Sequence, residues 1–474
     1  MKRKTTTLCL SLAAVLGLGA CTMAPEYLRP EAPVPGVWPD GPAYQKETPD
    51  QSAKKPADLP WQEFFVEQPL QKTIGMALEN NRDLRVAALN IERSRAQYQI
   101  QRAELFPQID GTAAGSKKRL PETLSGTGQA ETVEQYSVGL GVSAYELDLF
   151  GRVQSLKDQA LAQYLATEQA RRTVQISLVA EVAANYLNLA ADRERLYLAQ
   201  ATLTAQQSSY QLIQRRFAMG VASELDLQQA QTQLDTARVD IARYTALAAQ
   251  DENALNLVVG STVPAELLPK TLSETLTAVK DLPAGTPSEV LLRRPDILRA
   301  ENQLQGYNAN IGAARAAFFP RITLIGSIGV GSDELSGLFS SGSGAWAFTP
   351  NISLPIFDAG SRWARLTVAE VDRDIAVADY EKAIQTAFRE VADALARRGT
   401  IDDELTAQQS LTDATAARYR LSQARYDKGV DSYLAVLDSQ RSLYRAQQGL
   451  ITTRLSRLSN MVTLYKVLGG GDAH

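Results

Sequence analysis

Histidine occurs once in this 474-residue chain, at His474, and cysteine twice, at Cys9 and Cys21. A single histidine leaves nothing from which to build nucleophile triads, histidine general bases or histidine-rich metal centres. Two cysteines, one inside an apolar leader, provide neither a disulfide framework nor a thiolate cluster. No catalytic residues, cofactor-binding residues or metal ligands are therefore expected, and the chain is not expected to be an enzyme. Neither sign of charge dominates: 49 basic residues stand against 53 acidic ones. No broad basic face for nucleic acid follows from that balance. Beyond the leader there is no run of 18 apolar residues, so no membrane-spanning helix is predicted. Proline is missing from 122–263 and from 356–474, and stretches that lack the strongest helix breaker leave room for very long helices.

What is present begins with Lys2, Arg3 and Lys4 ahead of an apolar stretch from Leu8 to Ala20, the pattern of a secretory signal at 1–20. Leu18-Gly19-Ala20-Cys21 resembles a bacterial lipobox, in which the cysteine becomes the acylated first residue; Thr22 follows it, which implies outer-membrane sorting. Acyl chains at roughly 0.8 kcal/mol per buried CH₂ would make a durable anchor in outer-membrane lipid. Ten of the 20 prolines fall between Ala24 and Pro69, so 21–69 is predicted as a lipid-anchored, mostly irregular tether.

The remainder reads twice. Arg102-Ala103-Glu104-Leu105-Phe106-Pro107 recurs as Arg315-Ala316-Ala317-Phe318-Phe319-Pro320, and Asp83 matches Asp296 at the same offset of 213. Gly220-Val221-Ala222-Ser223 aligns with Gly429-Val430-Asp431-Ser432 at an offset of 209, as do Tyr210, Gln231 and Gly260 with Tyr419, Gln440 and Gly469. Each repeat is predicted to hold a helix of about 35 residues ending at Phe-Pro, two short strands, a very long helix, a glycine turn and a shorter helix. Val153 to Met219 would be one helix roughly 100 Å long. Val182, Leu189, Leu196, Leu203, Tyr210 and Phe217 recur every seven residues, as do Leu437, Tyr444, Ile451, Leu458 and Tyr465. Such a seam means left-handed coiled-coil packing.

The short segments alternate with period two. Tyr136, Val138, Leu140 and Val142 alternate with Ser137, Gly139 and Gly141; Trp346, Phe348, Ile352 and Leu354 alternate with Ala347, Thr349, Asn351 and Ser353. Strands with one apolar face and one small polar face fit a barrel in lipid around water. Pro350 falls inside its strand and predicts a bulge there. Gly139-Leu140-Gly141-Val142-Ser143-Ala144 fits a dinucleotide pattern but lies in a strand without the required turn into a helix. Four strands cannot close a membrane barrel, and an open edge in hydrocarbon costs several kcal/mol per unpaired group. The chain is therefore expected to share its barrel with copies of itself, and a small polar inner face favours three copies and twelve strands over two and eight. One long and two shorter helices per repeat give four staves per chain and twelve in the trimer.

With these motifs in place, the chain resembles an outer-membrane factor of the TolC type, in the lipidated OprM-like (NodT) branch that serves resistance-nodulation-division efflux pumps. The resemblance is carried by Tyr145-Glu146-Leu147-Asp148-Leu149-Phe150-Gly151-Arg152, Leu292-Arg293-Arg294-Pro295-Asp296, Leu354-Pro355-Ile356-Phe357-Asp358-Ala359-Gly360 and Leu464-Tyr465-Lys466-Val467-Leu468-Gly469. It implies a mixed α/β membrane protein: a trimeric 12-stranded transmembrane β-barrel continued by a 12-helix coiled-coil α-barrel, with a small equatorial region. The corresponding division is repeat 1 at 70–262 (strands about 108–118 and 134–148), an equatorial linker at 263–287, repeat 2 at 288–468 (strands about 321–332 and 345–357) and a C-terminal tail at 469–474. Implied partners are two further copies, a periplasmic adaptor (membrane fusion) protein and an inner-membrane resistance-nodulation-division transporter; nucleic acid is not among them. The implied function is the outer-membrane exit channel of a tripartite multidrug efflux pump, in the Gram-negative outer membrane and reaching into the periplasm.

Three groups of site residues follow. Cys21 is the lipid anchor. Gly220, Val221 and Ser223, with Gly429, Val430 and Ser432, form two helical tips where glycine supplies a positive φ and serine can cap the next helix; the resemblance adds adaptor docking there. Tyr426 and Asp438 sit at the spacing of the family's periplasmic gate, where three symmetry-related carboxylates would ring the axis. The first repeat has Phe217 and Gln229 at those places, and Ala435 stands where TolC has a second acid. Two alternatives remain: a non-conducting periplasmic coiled-coil lipoprotein, and the same channel serving metal-ion or protein export.

Overall fold

A computed structural model describes residues 22–44, 59–126, 128–273, 277, 287 and 291–470. The signal at 1–20, the anchor Cys21, the tether between 45 and 58, most of the linker beyond 273 and the tail after 470 lie outside the described residues. In chain order the main elements are α1 (Gln68–Asn80), α2 (Arg82–Ala103), β1 (Ile109–Leu120), β2 (Glu131–Leu147), α3 (Arg152–Ala218), α4 (Glu224–Val259), α5 (Pro295–Ala316), β3 (Arg321–Ser332), β4 (Gly344–Ser353), α6 (Ser361–Asp427) and α7 (Tyr433–Val467). The two long helices, α3 and α6, each have 67 residues. The helix before each Phe-Pro has 22 residues, not about 35. In the first repeat Asn81 stops α1 and caps α2: it is extended, and its Oδ1 accepts from Leu84 N at 2.8 Å. A capping asparagine thus divides what periodicity alone joins.

Contacts divide the chain into two compact bodies, 1–31 with 90–168 and 299–380, and 32–89 with 169–298 and 381–474. The first holds the sheet, antiparallel in the order β1-β2-β3-β4. Register puts Val138, Leu140, Ile328, Trp346, Phe348 and Ile352 on one face and Gly139, Gly141, Ser327, Ala347, Thr349 and Asn351 on the other. Gly139 and Gly329 are opposed so closely that a Cβ on either would meet the other strand's backbone at 2.8 or 2.3 Å. Pro350 does not bulge: it pairs with Leu324 in unbroken register. β4 lies at the edge of the chain's sheet, where a missing N–H is tolerated. The irregularity falls instead between Val142 and Tyr145 of β2. β4 also ends at Ser353, short of 357, ahead of Pro355. Asp148 and Asp358 then start the long helices, accepting from Gln154 N at 2.7 Å and Arg362 N at 3.0 Å.

The second body has its core around Phe64, Phe65, Val182, Leu189, Leu458 and Tyr465, all buried. Tyr465 stacks on Phe64 at 4.2 Å and donates its hydroxyl to Leu59 O at 3.0 Å. Arg294 is buried and donates to both oxygens of Asp296, to Glu390 and to Val467 O. One guanidinium thereby ties the start of α5 to α6 and to the end of α7, the bidentate geometry that favours arginine over lysine. Among the described residues no helix is long and apolar enough to cross a membrane.

Candidate functional site

The two helical hairpins α3–α4 and α6–α7 turn in the same way. Gly220 (φ 72°) and Gly429 (φ 74°) take the left-handed conformation, which a side chain would strain by about 1–2 kcal/mol. Val221 N donates to Arg216 O and Val430 N to Arg425 O, both at 2.9 Å. These six-residue closures satisfy carbonyls that the helix end would leave orphaned. Each turn then presents apolar side chains to solvent: Met219, Val221 and Leu225 on one, Val430 and Leu434 on the other.

The serines behave differently. Ser223 accepts from Asp226 N at 3.1 Å while Asp226 Oδ2 accepts from Ser223 N, a complete capping box. Ser432 makes no side-chain cap bond, and the position matching Asp226 is Ala435. The second turn is braced another way, by Arg425, which donates to both oxygens of Asp431 at 2.6 and 2.8 Å. That guanidinium holds the Asp431 carboxyl below the usual carboxylate range.

Behind the turns lies a small core of Ile213, Ala230, Tyr433, Val436 and Leu437, flanked by Tyr210, Tyr419 and Tyr426. Burial pushes the Tyr433 phenol up to about 12. Tyr426 does not meet Asp438. Its hydroxyl accepts from Arg216 Nη1 at 2.6 Å, and the Arg216 guanidinium lies over its ring at 4.9 Å, so both a hydrogen bond and a cation–π contact join the hairpins. Asp438 is held by Arg418 at 2.8 Å, with Arg441 at 3.8 Å. The carboxylate is half-exposed and already shares two cations of its own chain. Sequence reasoning missed Arg216, Arg418 and the Arg425–Asp431 pair. The signal for the first was present: Arg216 and Arg425 are the same position in the two repeats. Among the described residues no acidic, histidine or cysteine cluster could hold a metal ion.

The family model described as Outer membrane efflux protein matches residues 73–261 and 286–470. Among curated proteins the chain is 51% identical over 462 residues to the solvent efflux pump outer membrane protein SrpC of Pseudomonas putida, covering 98% of each chain. It is 46% identical to the outer membrane protein OprJ of Pseudomonas aeruginosa, covering 97% of this chain and 95% of that one. Among solved structures, the open-state MtrE outer membrane channel of Neisseria gonorrhoeae superposes with a TM-score of 0.86 at 40% identity, covering 95% of this chain and 98% of that one.

Proposed function

This chain belongs to the outer membrane efflux protein family, and we propose that three copies form the outer-membrane exit channel of a tripartite efflux pump. The sheet carries the argument. It has four strands, with β1 and β4 unpaired at its edges, and its apolar face stands exposed, with Trp346 and Ile328 about three-quarters and two-thirds accessible. Lipid suits that face but not the edges, whose unpaired groups would each cost several kcal/mol. Closure by identical strands from two more copies satisfies them and surrounds a lumen of small polar residues. An acylated Cys21 holds the assembly in outer-membrane lipid. The exposed valines and leucines of the two tips dock a periplasmic adaptor, which joins the channel to an inner-membrane resistance-nodulation-division transporter. Tyr426 and Asp438, with the arginines that hold them, narrow the periplasmic entrance. The relatives' names attach solvents, toluene and antibiotics to their own pumps, and small amphiphilic compounds are the cargo proposed here. Purified trimers in planar bilayers should pass current, and deletion of the gene should sensitise cells to a panel of antibiotics and solvents. A monomer that conducts nothing would overturn the proposal.

A further inference from the structure

Glu301 of α5 is a buried carboxylate, about 6% exposed. Among the described residues its hydrogen-bond donors all come from the segment that composition marks as a loose tether: Arg29 Nε at 2.7 Å, Arg29 Nη2 at 2.6 Å and Tyr27 OH at 3.3 Å. The segment continues along the same helix. Asn308 Nδ2 donates to Pro25 O at 2.7 Å, and Arg315 Nη1 reaches Met23 O at 3.5 Å. Thr22 Oγ1 lies 3.0 Å from the hydroxyl of Ser155, which is fully buried at the start of α3. Gly312 faces Ala24 so closely that a Cβ would come within 2.6 Å of its nitrogen. Glu301, Asn308, Gly312 and Arg315 follow one another at helical spacing and form a single stripe. All of these residues belong to the body that contains the sheet.

The lengths match. From Glu301 to Arg315 the helix rises about 21 Å. From Arg29 back to Met23, six residues reach at most about 22 Å when fully extended. The segment, which bends at Ala24 and otherwise has no regular structure, uses much of its reach on this run. We infer that residues 22–29 form a metering strap: a docked peptide that fixes the residue next to Cys21 at the junction where β2 leads into α3 and α5 leads into β3, and so sets the depth of the sheet relative to the lipid anchor. The inference rests on acylation of Cys21, proposed above. A buried carboxylate that loses its donors is costly, so an undocked strap leaves Glu301 of α5 without its charged partner.

The test compares two insertions of Gly-Ser in the full-length chain, one between Pro25 and Glu26 within the strap and one between Gly36 and Val37 beyond it. Labelled palmitate reports acylation, and heat-resistant oligomers in the outer-membrane fraction report assembly. The inner insertion is expected to keep the label and lose the oligomer; the outer one is expected to match the unaltered chain. A second measurement is independent of assembly. Glu301→Gln should speed chymotryptic cleavage after Tyr27 by about tenfold or more, the scale of losing one charged, buried hydrogen-bond partner, and Gly312→Val should speed it as well, because the added side chain would clash with Ala24 and Ser155. Label with equal assembly of both insertions, or unchanged cleavage in both variants, overturns the strap. Absence of label from the unaltered chain overturns the acylation reading together with the metering that rests on it.

Discussion

The two hairpin turns share one backbone closure and divide their chemistry. In both, glycine at the helix end and the six-residue closure come from Gly-Val-x-Ser. The side chains around that frame then diverge from one substitution. At the third position of the motif the first repeat has Ala222 and the second Asp431. Where the acid is present, the preceding arginine folds back on it and braces its own turn: Arg425 to Asp431. Where alanine stands, the equivalent Arg216 is free to cross to the other hairpin and grip Tyr426. The first turn offsets its missing brace with a capping box. Duplication supplied two copies of a turn, and a few side chains made one a cross-link and the other a carrier of Asp438.

The largest effect is expected where the two copies agree. Gly220→Leu and Gly429→Leu each force a side chain into a left-handed conformation, a strain of about 1–2 kcal/mol confined to the turn. Each variant should lose efflux to the level of a deletion strain in susceptibility assays while heat-resistant trimers persist. Intact adaptor cross-linking and drug export in either one would separate the tips from docking. The next effect separates the copies. Asp438→Ala should raise resting conductance in planar bilayers severalfold, as should Arg418→Ala, which removes its partner. Gln229→Ala at the matching place in the first repeat should leave conductance alone. Equal responses to Asp438→Ala and Gln229→Ala would mean that neither side chain gates.

Much of this was legible in the chain. The offset of 209 placed both turns, and absent prolines allowed the 67-residue helices that the fold contains. Alternation gave β2 and β4 because one face must be apolar and the other small, whereas β1, with Lys117, Lys118 and Arg119 in a row, alternates poorly. Three features escaped for physical reasons. Asn81 reads as an ordinary polar helix position until its side chain is seen to cap α2. Pro350 looks like a strand breaker, yet it pairs with Leu324 and leaves the register between β3 and β4 unbroken. Tyr426 and Asp438 were paired by family spacing alone, whereas their partners, Arg216 and Arg418, are chosen by packing between helices that no periodicity relates. Glu301 was invisible for the same reason, since its donors lie some 270 residues away in the chain.

A smaller difference lies in the caps. Ser223→Ala removes one half of the capping box and should cost about 1 kcal/mol of local stability, read as faster amide exchange in the first turn of α4. Ser432→Ala should change exchange in the first turn of α7 very little. The converse variant, Ala435→Asp, gives the second hairpin the residue that Asp226 supplies in the first and should slow exchange there. No gain from Ala435→Asp would mean that the Arg425–Asp431 brace already fixes that turn.

The smallest expected effect is a pH dependence that only the first repeat should show. Asp251 of α4 has a buried Oδ2 without a hydrogen-bond partner. Burial first, and then the charge of neighbouring Asp192, push its carboxyl up to about 6, with Arg195 opposing. The matching residues of the second repeat are Asn460 and Ile401, which carry no charge; Asn460 donates to Ala394 O at 3.2 Å. A carboxyl with a raised folded-state pKa contributes its stability at low pH, in full below its unfolded value of about 3.9, and loses it as pH rises toward about 6. Amide protection in α4, corrected for intrinsic exchange, should therefore fall between about pH 4 and 6, while protection in α7 stays level. Asp251→Asn should flatten the first profile onto the second. A falling slope that survives in Asp251→Asn would mean that this carboxyl is not the group that titrates.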